Sequence, residues 1–390
     1  MSLPPLVAPA AQLSREEINR YSRHLLIPNV GTVGQRRLKN ARVLVIGAGG
    51  LGSPTLLYLA AAGVGTIGII DFDRVDDSNL QRQVIHGVDT VGELKVESAR
   101  RAIARLNPFV EVETFTDRLE RDTAVDLFSR FDLILDGTDN FATRYLVNDA
   151  CVLADKPYVW GSIFRFEGQV SVFWEKAPNG RGLNYRDLYP EPPPPEMAPS
   201  CSEGGVFGIL CASIGAIMAT EAVKLIAGIG KPLLGRLVAY DALEMRYREL
   251  PIRRLPDREP LTQLAADYQA FCNLGAPAAD TASLPSITAI QLKTLMDRQA
   301  MPVLIDVREA TEWDIVRIPG STLMPKSPTL VRTLLEQYGR DADLVVSCKS
   351  GRRSAEVVSE LQRLGMRNAR NLEDGVLAWI RDIDPSLPSY

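Results

Sequence analysis

The sequence predicts an α/β protein that has a doubly wound first domain built on a mixed sheet and a second, smaller α/β domain. Strand and helix patterns alternate from Arg42, which is typical of a parallel sheet covered by helices on both faces. After Lys156 the hydrophobic period changes to two, which predicts antiparallel strands added to that sheet. The alternation begins again at Ile287, after a stretch rich in Pro, Gly, Ala and Asp, and this restart predicts the second domain.

Each element of the first domain follows from a local signal. Ser14-Arg-Glu-Glu17 has the form of a capping box and predicts a helix through about Arg23. The alternating patterns then predict strand 42–46, helix 53–62, strand 67–71, helix 92–106, strand 110–115, helix 122–129 and strand 132–135. An extended Pro-rich crossover at 190–199 leads to an apolar helix over 206–227, and strands within 236–249 complete the domain.

These patterns divide the chain into four segments. Residues 1–13 are expected to be disordered, and residues 14–250 form the first domain. Residues 251–285 are expected to be a linker. Residues 286–390 make a block of ordinary length for a small domain.

The composition is that of a globular protein from a reducing compartment. Of the 390 residues, 46% are hydrophobic and 24% are charged, and the net charge of −4 gives no reason to expect nucleic acid as the main partner. The five cysteines are scattered and odd in number, unlike a secreted disulfide framework. No signal peptide is recognisable, glycines interrupt the uncharged run 43–70, and the apolar run 206–218 is too short to span a bilayer. We therefore expect a soluble, cytoplasmic protein with no membrane partner.

A glycine-rich turn follows the first strand, where VLVIG runs into Gly47-Ala-Gly49-Gly50-Leu-Gly52 and then an apolar helix. Glycines permit a tight turn and let backbone N–H groups approach a phosphate, and a helix N-terminus favours its negative charge. Asp71 ends the next strand, about where a ribose-binding carboxylate belongs. Taken alone, this fingerprint fits an NAD or FAD enzyme at least as well as an ATP enzyme.

Polar side chains beyond the ribose position favour a metal-bound triphosphate. Asn79, Arg82 and Gln83 follow that position, Lys95 begins a helix, and Asp139 comes just after the fourth strand. A triphosphate with Mg²⁺ needs cations on its oxygens and a carboxylate on the metal, whereas a nicotinamide enzyme needs neither. The chain has only two histidines, and neither lies where a hydride-transfer acid or base is expected. The sequence therefore predicts ATP and Mg²⁺ as cofactors, although Asn79 and Gln83 could instead shape the turn.

Four segments in this order resemble the Rossmann-like adenylating enzymes of the ThiF/MoeB family, which activate ubiquitin-like sulfur carriers: GAGGLGSP, DFDRVDDSNLQRQ, VGELKVESA and DGTDNFATRYLVND. The resemblance covers roughly residues 14–275. It implies that Arg23 enters the site of a partner subunit, and hence a homodimer. The contacts that it implies within the chain are the ribose for Asp71, the phosphates for Asn79, Arg82 and Lys95, and Mg²⁺ for Asp139.

Cys201 directly precedes the long apolar helix, within the segment PSCSEGGV. A thiol near a helix N-terminus can have a lowered pKa and greater thiolate character. The resemblance implies that this thiol reacts with the activated carrier, and the alternative is an incidental loop cysteine. Cys151, Cys211 and Cys272 are predicted to be buried packing residues.

The chain departs from many relatives of that family at a structural zinc site. Two Cys-x-x-Cys pairs would fall at Asn184-Tyr-Arg-Asp187 and near Arg258 to Leu261, but no cysteine stands at either place. The sequence therefore predicts no structural zinc. Packing or hydrogen bonds are expected to hold these segments instead.

Residues 286–390 resemble a rhodanese-like sulfurtransferase domain through the segments LIDVRE, IPGS, VSCKSGRRS and EDGVLAW. Cys348 ends a predicted buried strand, and a short loop separates it from a helix that starts near Ser354. Successive N–H groups and the helix dipole can stabilise a thiolate or persulfide there. Cysteine-dependent phosphatases use the same loop architecture, but IPGS and the Gly-x-x-x-Trp ending favour sulfur transfer. The residues expected to surround the persulfide are Lys349, Gly351, Arg352 and Arg353.

The two resemblances together predict an adenylyltransferase and sulfurtransferase. Its substrate would be the C-terminal Gly-Gly of a ubiquitin-like sulfur carrier, and Cys348 would deliver sulfur taken from a persulfide donor such as a cysteine desulfurase. Cys201 would either release the thiocarboxylate by disulfide exchange or form a thioester first. The molybdopterin-synthase small subunit, in molybdenum cofactor biosynthesis, is the first choice of carrier, and a thiamine-pathway or cysteine-forming carrier is the alternative. An enzyme that conjugates a ubiquitin-like protein, or a scaffold that only binds nucleotide, remains a rival reading.

Overall fold

The computed structural model describes residues 3–193, 205–272 and 284–390. The chain divides into two compact units, Met1–Leu274 and Gly275–Tyr390. Among the described residues, one buried apolar cluster lies in the first unit and two lie in the second.

The first unit is built on an eight-stranded sheet within the described residues. Its strands are β1 Arg42–Ile46, β2 Thr66–Ile70, β3 Glu111–Phe115, β4 Leu133–Asp136, β5 Tyr158–Phe164, β6 Glu167–Phe173, β7 Arg236–Asp241 and β8 Arg246–Pro251. Its helices are α1 Arg15–Leu25, α2 Gly31–Asn40, α3 Gly52–Ala62, α4 Lys95–Leu106, α5 Arg121–Ser129, α6 Phe141–Ala154, α7 Gly208–Ala227 and α8 Tyr268–Phe271.

The strand order β3-β2-β1-β4-β5-β6-β7-β8 confirms the predicted mixed sheet. The first five strands in this order are parallel, and β1 lies between β2 and β4, with Val43 opposite Ile67 on one side and Leu133 on the other. The last three strands are antiparallel, as the period of two predicts. Because the direction of winding reverses at β1, the carboxyl ends of β1, β2 and β4 border a crevice of the kind in which α/β sheets bind ligands.

The N-terminal segment packs on the first unit, so the expected disorder of residues 1–13 is wrong for residues 3–13. Leu3 is buried in the core, and the Leu6 N–H donates to a carbonyl of α7 at 3.1 Å. The Ala10 N–H donates to the Arg36 carbonyl at 2.9 Å, and the Arg36 side chain donates back to the Ala10 carbonyl at 2.8 Å. An extended segment can bury apolar side chains and satisfy its backbone in this way without showing a helical or strand period.

Residues 251–272 also belong to the first unit, contrary to the expected linker over 251–285. Tyr268 and Cys272 are buried in the core of this unit, and the Tyr268 hydroxyl donates to Asp149 at 2.8 Å. The composition of this stretch suggested a linker, but its few large side chains anchor it. Residues 273–283 lie outside the described residues.

Helix α7 has 20 residues and crosses the core of the first unit. By length and composition it is the one helix in the described ranges that could cross a membrane, and 56% of its most apolar window is buried inside the protein. A Cβ on Gly161 of β5 would touch Met218, and one on Gly168 of β6 would touch Ile214. The helix therefore packs closely over the antiparallel end of the sheet.

The second unit has a five-stranded sheet in the order β11-β10-β12-β13-β9, with every pair parallel. Its strands are β9 Ser286–Ile287, β10 Val303–Asp306, β11 Thr322–Leu323, β12 Leu344–Ser347 and β13 Ala369–Leu372. Its helices are α9 Ala289–Asp297, α10 Ala310–Ile315, α11 Leu330–Tyr338, α12 Arg352–Arg363 and α13 Gly375–Asp382. The central strand β12 is fully buried, and it leads directly to Cys348.

Candidate active sites

The glycine-rich turn joins β1 to α3 at the carboxyl edge of the first sheet. Gly47 has φ +91°, and its N–H donates to the Ile70 carbonyl at 2.9 Å. A Cβ on Gly52 would stand 1.9 Å from the Gly47 carbonyl oxygen, so only glycine fits there. Gly49 and Gly50 line the pocket in front of the turn. Since no side chain among the described residues caps the start of α3, the positive end of this helix is offered to the pocket.

Asp71, which directly follows β2, is held by two backbone donors. Its Oδ2 accepts from the Ala48 N–H at 2.8 Å, and its Oδ1 accepts from the Asp73 N–H at 2.9 Å. Burial raises the pKa of Asp71, although Lys95 opposes the rise. A carboxylate fixed beside the glycine turn is placed as the ribose acceptors of such folds are.

Four cations line the same pocket, and two of them, Lys95 and Arg82, were predicted from the sequence; the other two are Arg118 and Arg144. The Lys95 side chain is only 8% exposed, and its Nζ donates to Asp73 Oδ2 at 2.9 Å. Arg82 is half-buried, and its guanidinium donates to the Ser78 carbonyl at 3.1 Å. Because a buried ammonium is costly without an anion and its present partner is more than half exposed, an incoming phosphate could share Lys95.

Gln83 and Asn79, both expected near the phosphates, differ in placement. Gln83 lines the pocket, is 4% exposed, and has an Oε1 atom with no hydrogen-bond partner in the described part of the chain. Asn79 accepts weakly from the Asp76 N–H, at 3.4 Å, in the short 3-10 turn Asp77–Asn79, and it does not line the pocket. In this structure Asn79 shapes the turn, whereas Gln83 presents an unsatisfied acceptor.

Asp139 and Asn140 follow β4 and close the opposite side of the pocket. Asn140 caps α6 by accepting from the Thr143 N–H at 2.9 Å, and Asp139 is exposed. No cluster of three or more His, Cys, Asp or Glu side chains in the described ranges is arranged to hold a metal. Mg²⁺ commonly binds through one or two carboxylates, phosphate oxygens and water, so the single carboxylate of Asp139 fits a metal that arrives with a triphosphate.

Sequence reasoning missed Arg144, a buried cation of the pocket wall. Its guanidinium donates twice to the Thr138 carbonyl, at 3.1 and 3.0 Å, and so fixes the loop that carries Asp139. The only signal in the sequence was an arginine one turn after the Asn140 cap. That position is equally typical of an exposed helical residue.

His86, to which the sequence assigned no role, supports the glycine turn. It is buried, its Nε2–H donates to the Ala48 carbonyl at 2.9 Å, and its Nδ1 accepts from the Ser98 hydroxyl at 2.8 Å. We assign this tautomer because a carbonyl can only accept. Burial lowers the pKa of His86, which favours the neutral ring. The contact spans 38 residues of sequence, and no local pattern reveals it.

Arg23, like Asn79, is a predicted site residue that does not line the pocket within this chain. Arg23 is exposed on α1. Cys201 lies outside the described residues. The described cysteines of this unit, Cys151, Cys211 and Cys272, are buried as predicted, and a Cβ on Gly50 would stand 2.8 Å from the Cys211 sulfur.

A buried ion-pair bracket joins the two segments at which the sequence resemblance would place zinc ligands. Arg258, 6% exposed at its side chain, donates to Asp187 at 2.8 Å and to Glu175 at 2.7 Å. The Asn184 N–H donates to the other oxygen of Asp187 at 2.9 Å, and the Asn184 amide donates to Glu175 at 3.0 Å. We define these four residues as the Arg258 bracket. A guanidinium thus connects these two segments, as the expectation of hydrogen bonds in place of zinc ligands requires.

In the second unit, Cys348 lies between the central strand β12 and helix α12. It is 1% exposed, and its sulfur accepts from the Ser354 N–H at 3.4 Å and from the Ser354 hydroxyl at 3.3 Å. Gly351, with φ +83°, caps α12, and Gly375 approaches so closely that a Cβ there would stand 2.2 Å from the Cys348 carbonyl oxygen. The sulfur therefore faces the N–H end of a helix, an arrangement that favours an anion.

Arg353, the second residue of α12, is paired with a carboxylate. Both terminal nitrogens of Arg353 donate to Glu312 of α10, each at 2.8 Å. This hydrogen bonding raises the pKa of Arg353, and the Cys348 sulfur adds to the rise. Lys349 lies with its Nζ 4.5 Å from the centre of the Tyr390 ring. The loop is thus surrounded by positive charge whose positions are fixed by neighbouring side chains.

Comparison with known proteins assigns both units to families. Residues 21–261 match the ThiF family, and residues 288–382 match the rhodanese-like domain. A Mycobacterium tuberculosis protein named probable adenylyltransferase/sulfurtransferase MoeZ is 60% identical over 390 residues, which is 100% of this chain and 99% of that protein. A Thermus thermophilus protein named sulfur carrier protein adenylyltransferase is 50% identical over 267 residues, covering 67% of this chain and 98% of its own.

Among solved structures, that of E. coli MccB with MccA-N7isoASN aligns with a TM-score of 0.55 at 24% identity, over 63% of this chain and 75% of that one. At this identity the likeness shows the fold alone. The two family matches and the full-length relative also support an assignment of family and enzyme class. The chain belongs to the ThiF family, carries a rhodanese-like domain after it, and is an enzyme of the adenylyltransferase and sulfurtransferase class.

Proposed function

We propose that this enzyme adenylates the C-terminal glycine of a ubiquitin-like sulfur carrier with ATP and then converts that glycine to a thiocarboxylate with sulfur carried on Cys348. One observation carries the proposal: the chain combines the glycine-turn pocket, lined by Asp71, Lys95 and Asp139, with a thiol seated at the N–H end of a helix. The first site suits a nucleotide triphosphate, and the second suits a sulfur anion.

Adenylation is needed because a free carboxylate is a poor electrophile. Attack by the carrier's carboxylate on the α-phosphate forms an acyl-adenylate and releases pyrophosphate. Asp71 would bind the ribose, Lys95 and Arg82 would hold the phosphates and neutralise the departing charge, and the Gln83 amide nitrogen would donate to them; all four residues line the pocket. Mg²⁺, held by Asp139, would neutralise further phosphate charge. Arg144 would keep Asp139 in place through the Thr138 carbonyl.

The sulfur step balances with one further thiol. The outer sulfur of a persulfide on Cys348 attacks the acyl carbon, AMP leaves, and an acyl disulfide joins the carrier to Cys348. A thiolate, which we assign to Cys201, then attacks the Cys348 sulfur. This forms a Cys201–Cys348 disulfide and releases the thiocarboxylate, and an external dithiol reductant restores both thiols. In the alternative order, Cys201 first displaces AMP to form a thioester.

The partners belong to the same proposal. A carrier of the molybdopterin-synthase small-subunit type, in molybdenum cofactor biosynthesis, is the first substrate to test, and thiamine-pathway and cysteine-forming carriers are the next. A cysteine desulfurase is the proposed persulfide donor. We also propose a cytoplasmic homodimer in which Arg23 of each chain completes the pocket of the other. The sequence resemblance to sulfur-carrier adenylating enzymes supports these assignments.

The decisive test uses the full chain, a candidate carrier, ATP with Mg²⁺, and a cysteine desulfurase with cysteine. We expect the carrier to gain the mass difference between one sulfur and one oxygen, as measured by mass spectrometry of the intact carrier. A carrier that stays unmodified while AMP is released would contradict the sulfur step. A carrier attached through an amide to another protein would instead indicate conjugation.

Two substitutions separate the half-reactions. C348A should retain carrier-dependent exchange of pyrophosphate into ATP and lose thiocarboxylate formation. D139N should lose both, with pyrophosphate exchange reduced at least a hundredfold, a loss typical of a group that stabilises transition-state charge. The matched control D126N removes an exposed carboxylate on α5 and should leave both reactions intact. Unimpaired exchange by D139N would refute the assignment of Asp139.

A further inference from the structure

Among the described residues, Glu312 is the only carboxylate that pairs with Arg353. The position of Glu312 is fixed in turn by Tyr390. The Tyr390 hydroxyl donates to Glu312 at 3.0 Å, while the same hydroxyl accepts from Arg308 at 2.6 Å. Arg308 is in turn fully buried against Asp306. A rigid chain of contacts therefore runs from the end of β10 through Tyr390 to Glu312, and so to Arg353.

The Glu312 carboxylate is ionised in this setting. Burial alone would raise the pKa of Glu312, but hydrogen bonding to Arg353 and the other donors outweighs it, so that the net pKa is lowered. Two parallel bonds between a guanidinium and a carboxylate also fix the plane of the arginine. Glu312 thus orients the Arg353 guanidinium beside the thiol and also cancels part of its positive charge.

We infer that Glu312 is a positioning residue for the chemistry of Cys348: it holds Arg353 in place next to the sulfur loop and offsets its charge, which leaves the sulfur anion reactive rather than locked in an ion pair. This inference rests on the proposed role of Cys348. A sulfur anion that is bound too tightly by cations is a weaker nucleophile, since nucleophilicity falls as the pKa of the attacking sulfur falls. The Glu312 carboxylate would therefore favour transfer of the sulfur from Cys348 over its retention there.

The test must allow for every charge near the thiol. The groups that surround it are Lys349, Arg352 and Arg353 on its own loop and helix, Glu312 on α10, Asp306 and Arg308 at the end of β10, Asp374 at the start of α13, and Tyr390. Of these, Glu312 is the anion bonded directly to Arg353. Its removal is therefore the cleanest change in the balance of charge at the sulfur.

E312Q in the full chain is expected to lower the pH midpoint of Cys348 alkylation by about 0.5 to 1 unit, because one anion near the thiolate is lost. Iodoacetamide labelling across pH, followed by mass spectrometry of the peptide that contains Cys348, separates this thiol from the other cysteines. Turnover to thiocarboxylate should fall by up to about threefold with the KM for the carrier unchanged, because a less basic sulfur anion is a weaker nucleophile.

Two further variants make the result specific. D314N removes an exposed carboxylate from the same helix and should leave the midpoint unchanged. E312D keeps the charge but shortens its reach to Arg353, so its midpoint should lie between those of wild type and E312Q, and it serves as the test if E312Q does not fold. An unchanged midpoint in E312Q, or an equal shift in D314N, overturns the inference. If C348A still makes thiocarboxylate, the proposed function fails instead, whatever the labelling shows.

Discussion

At the scale of single residues, His86 links α4 to the glycine turn, and its protonation is expected to affect the stability of the first unit. Its ring donates to the Ala48 carbonyl and accepts from Ser98. Because burial lowers the pKa of His86 from its ordinary 6.5, the unfolded chain takes up a proton at a pH where the folded protein does not. The stability associated with the neutral ring is present above pH 6.5 and is lost as the pH falls below it.

We expect His86 to contribute a loss of up to about 1.4 kcal/mol in the free energy of unfolding for each pH unit below its ordinary pKa. H86Q, whose amide nitrogen reaches about the position of Nε2, can still donate to the Ala48 carbonyl but takes up no proton in this range, so it should lose that part of the slope. Chemical denaturation of the first unit between about pH 7.5 and pH 5.5 measures the difference. H24Q, at the other histidine, is the control. Identical slopes for wild type and H86Q would contradict the prediction.

At the scale of elements, strands were easier to predict than helices. The expected strand 42–46 matches β1 at both ends, and the expected strand 67–71 is shifted by one residue from β2, because unbroken apolar runs end at polar or glycine residues. Helices α2 and α6 were not predicted. α2 contains two glycines and lacks a capping side chain, so nothing in the sequence marks its start. α6 is buried on nearly all sides and so shows no clear amphipathic period.

Pocket residues could be predicted from the sequence where they lie next to the end of a strand or the start of a helix. Asp71, Lys95 and Asp139 were predicted together and line one pocket, because their distances from strand and helix ends fix them at one edge of the sheet. Asn79 failed to reach it because a capping turn holds its side chain. Arg144 could not be predicted, since its role depends on how the loop after β4 folds back onto it.

The Arg258 bracket supports a prediction about segments rather than single contacts. R258L would leave the carboxylates of Asp187 and Glu175 buried without their shared cation. We expect this to destabilise the first unit by about 3–5 kcal/mol, the usual cost of removing one partner from a buried ion pair. Thermal or chemical unfolding monitored in the first unit gives the value.

The matched control is R254L, which also removes an arginine from Glu175 but at a side chain that is 50% exposed and 3.2 Å away. An exposed pair of this kind contributes about 0–1 kcal/mol, so R254L should be nearly neutral. Similar losses for both variants would show that the bracket does not act as a buried connection. A chelator should leave the unfolding curve of the wild type unchanged if the bracket replaces a metal.

At the scale of the whole molecule, Arg23 and Asp139 mark the two sides of the proposed dimeric site. Asp139 lines the pocket of its own chain, whereas Arg23 is exposed on α1 away from that pocket. If Arg23 acts in the pocket of a second copy, each active site draws one residue from each chain. The two residues should then complement each other between chains.

R23A and D139N are therefore each expected to lose carrier-dependent pyrophosphate exchange, and a mixture of the two should regain it. In a mixed dimer, the R23A chain keeps its own Asp139 and receives an intact Arg23 from its partner, so one of the two sites is complete. With random exchange of subunits, half of the dimers are mixed, and the expected activity is about a quarter of wild type. Mixing R23A with itself after the same unfolding and refolding gives the baseline. No recovery in the mixture would mean that Arg23 serves its own chain or no site at all, because both chains of the mixed dimer would then remain defective.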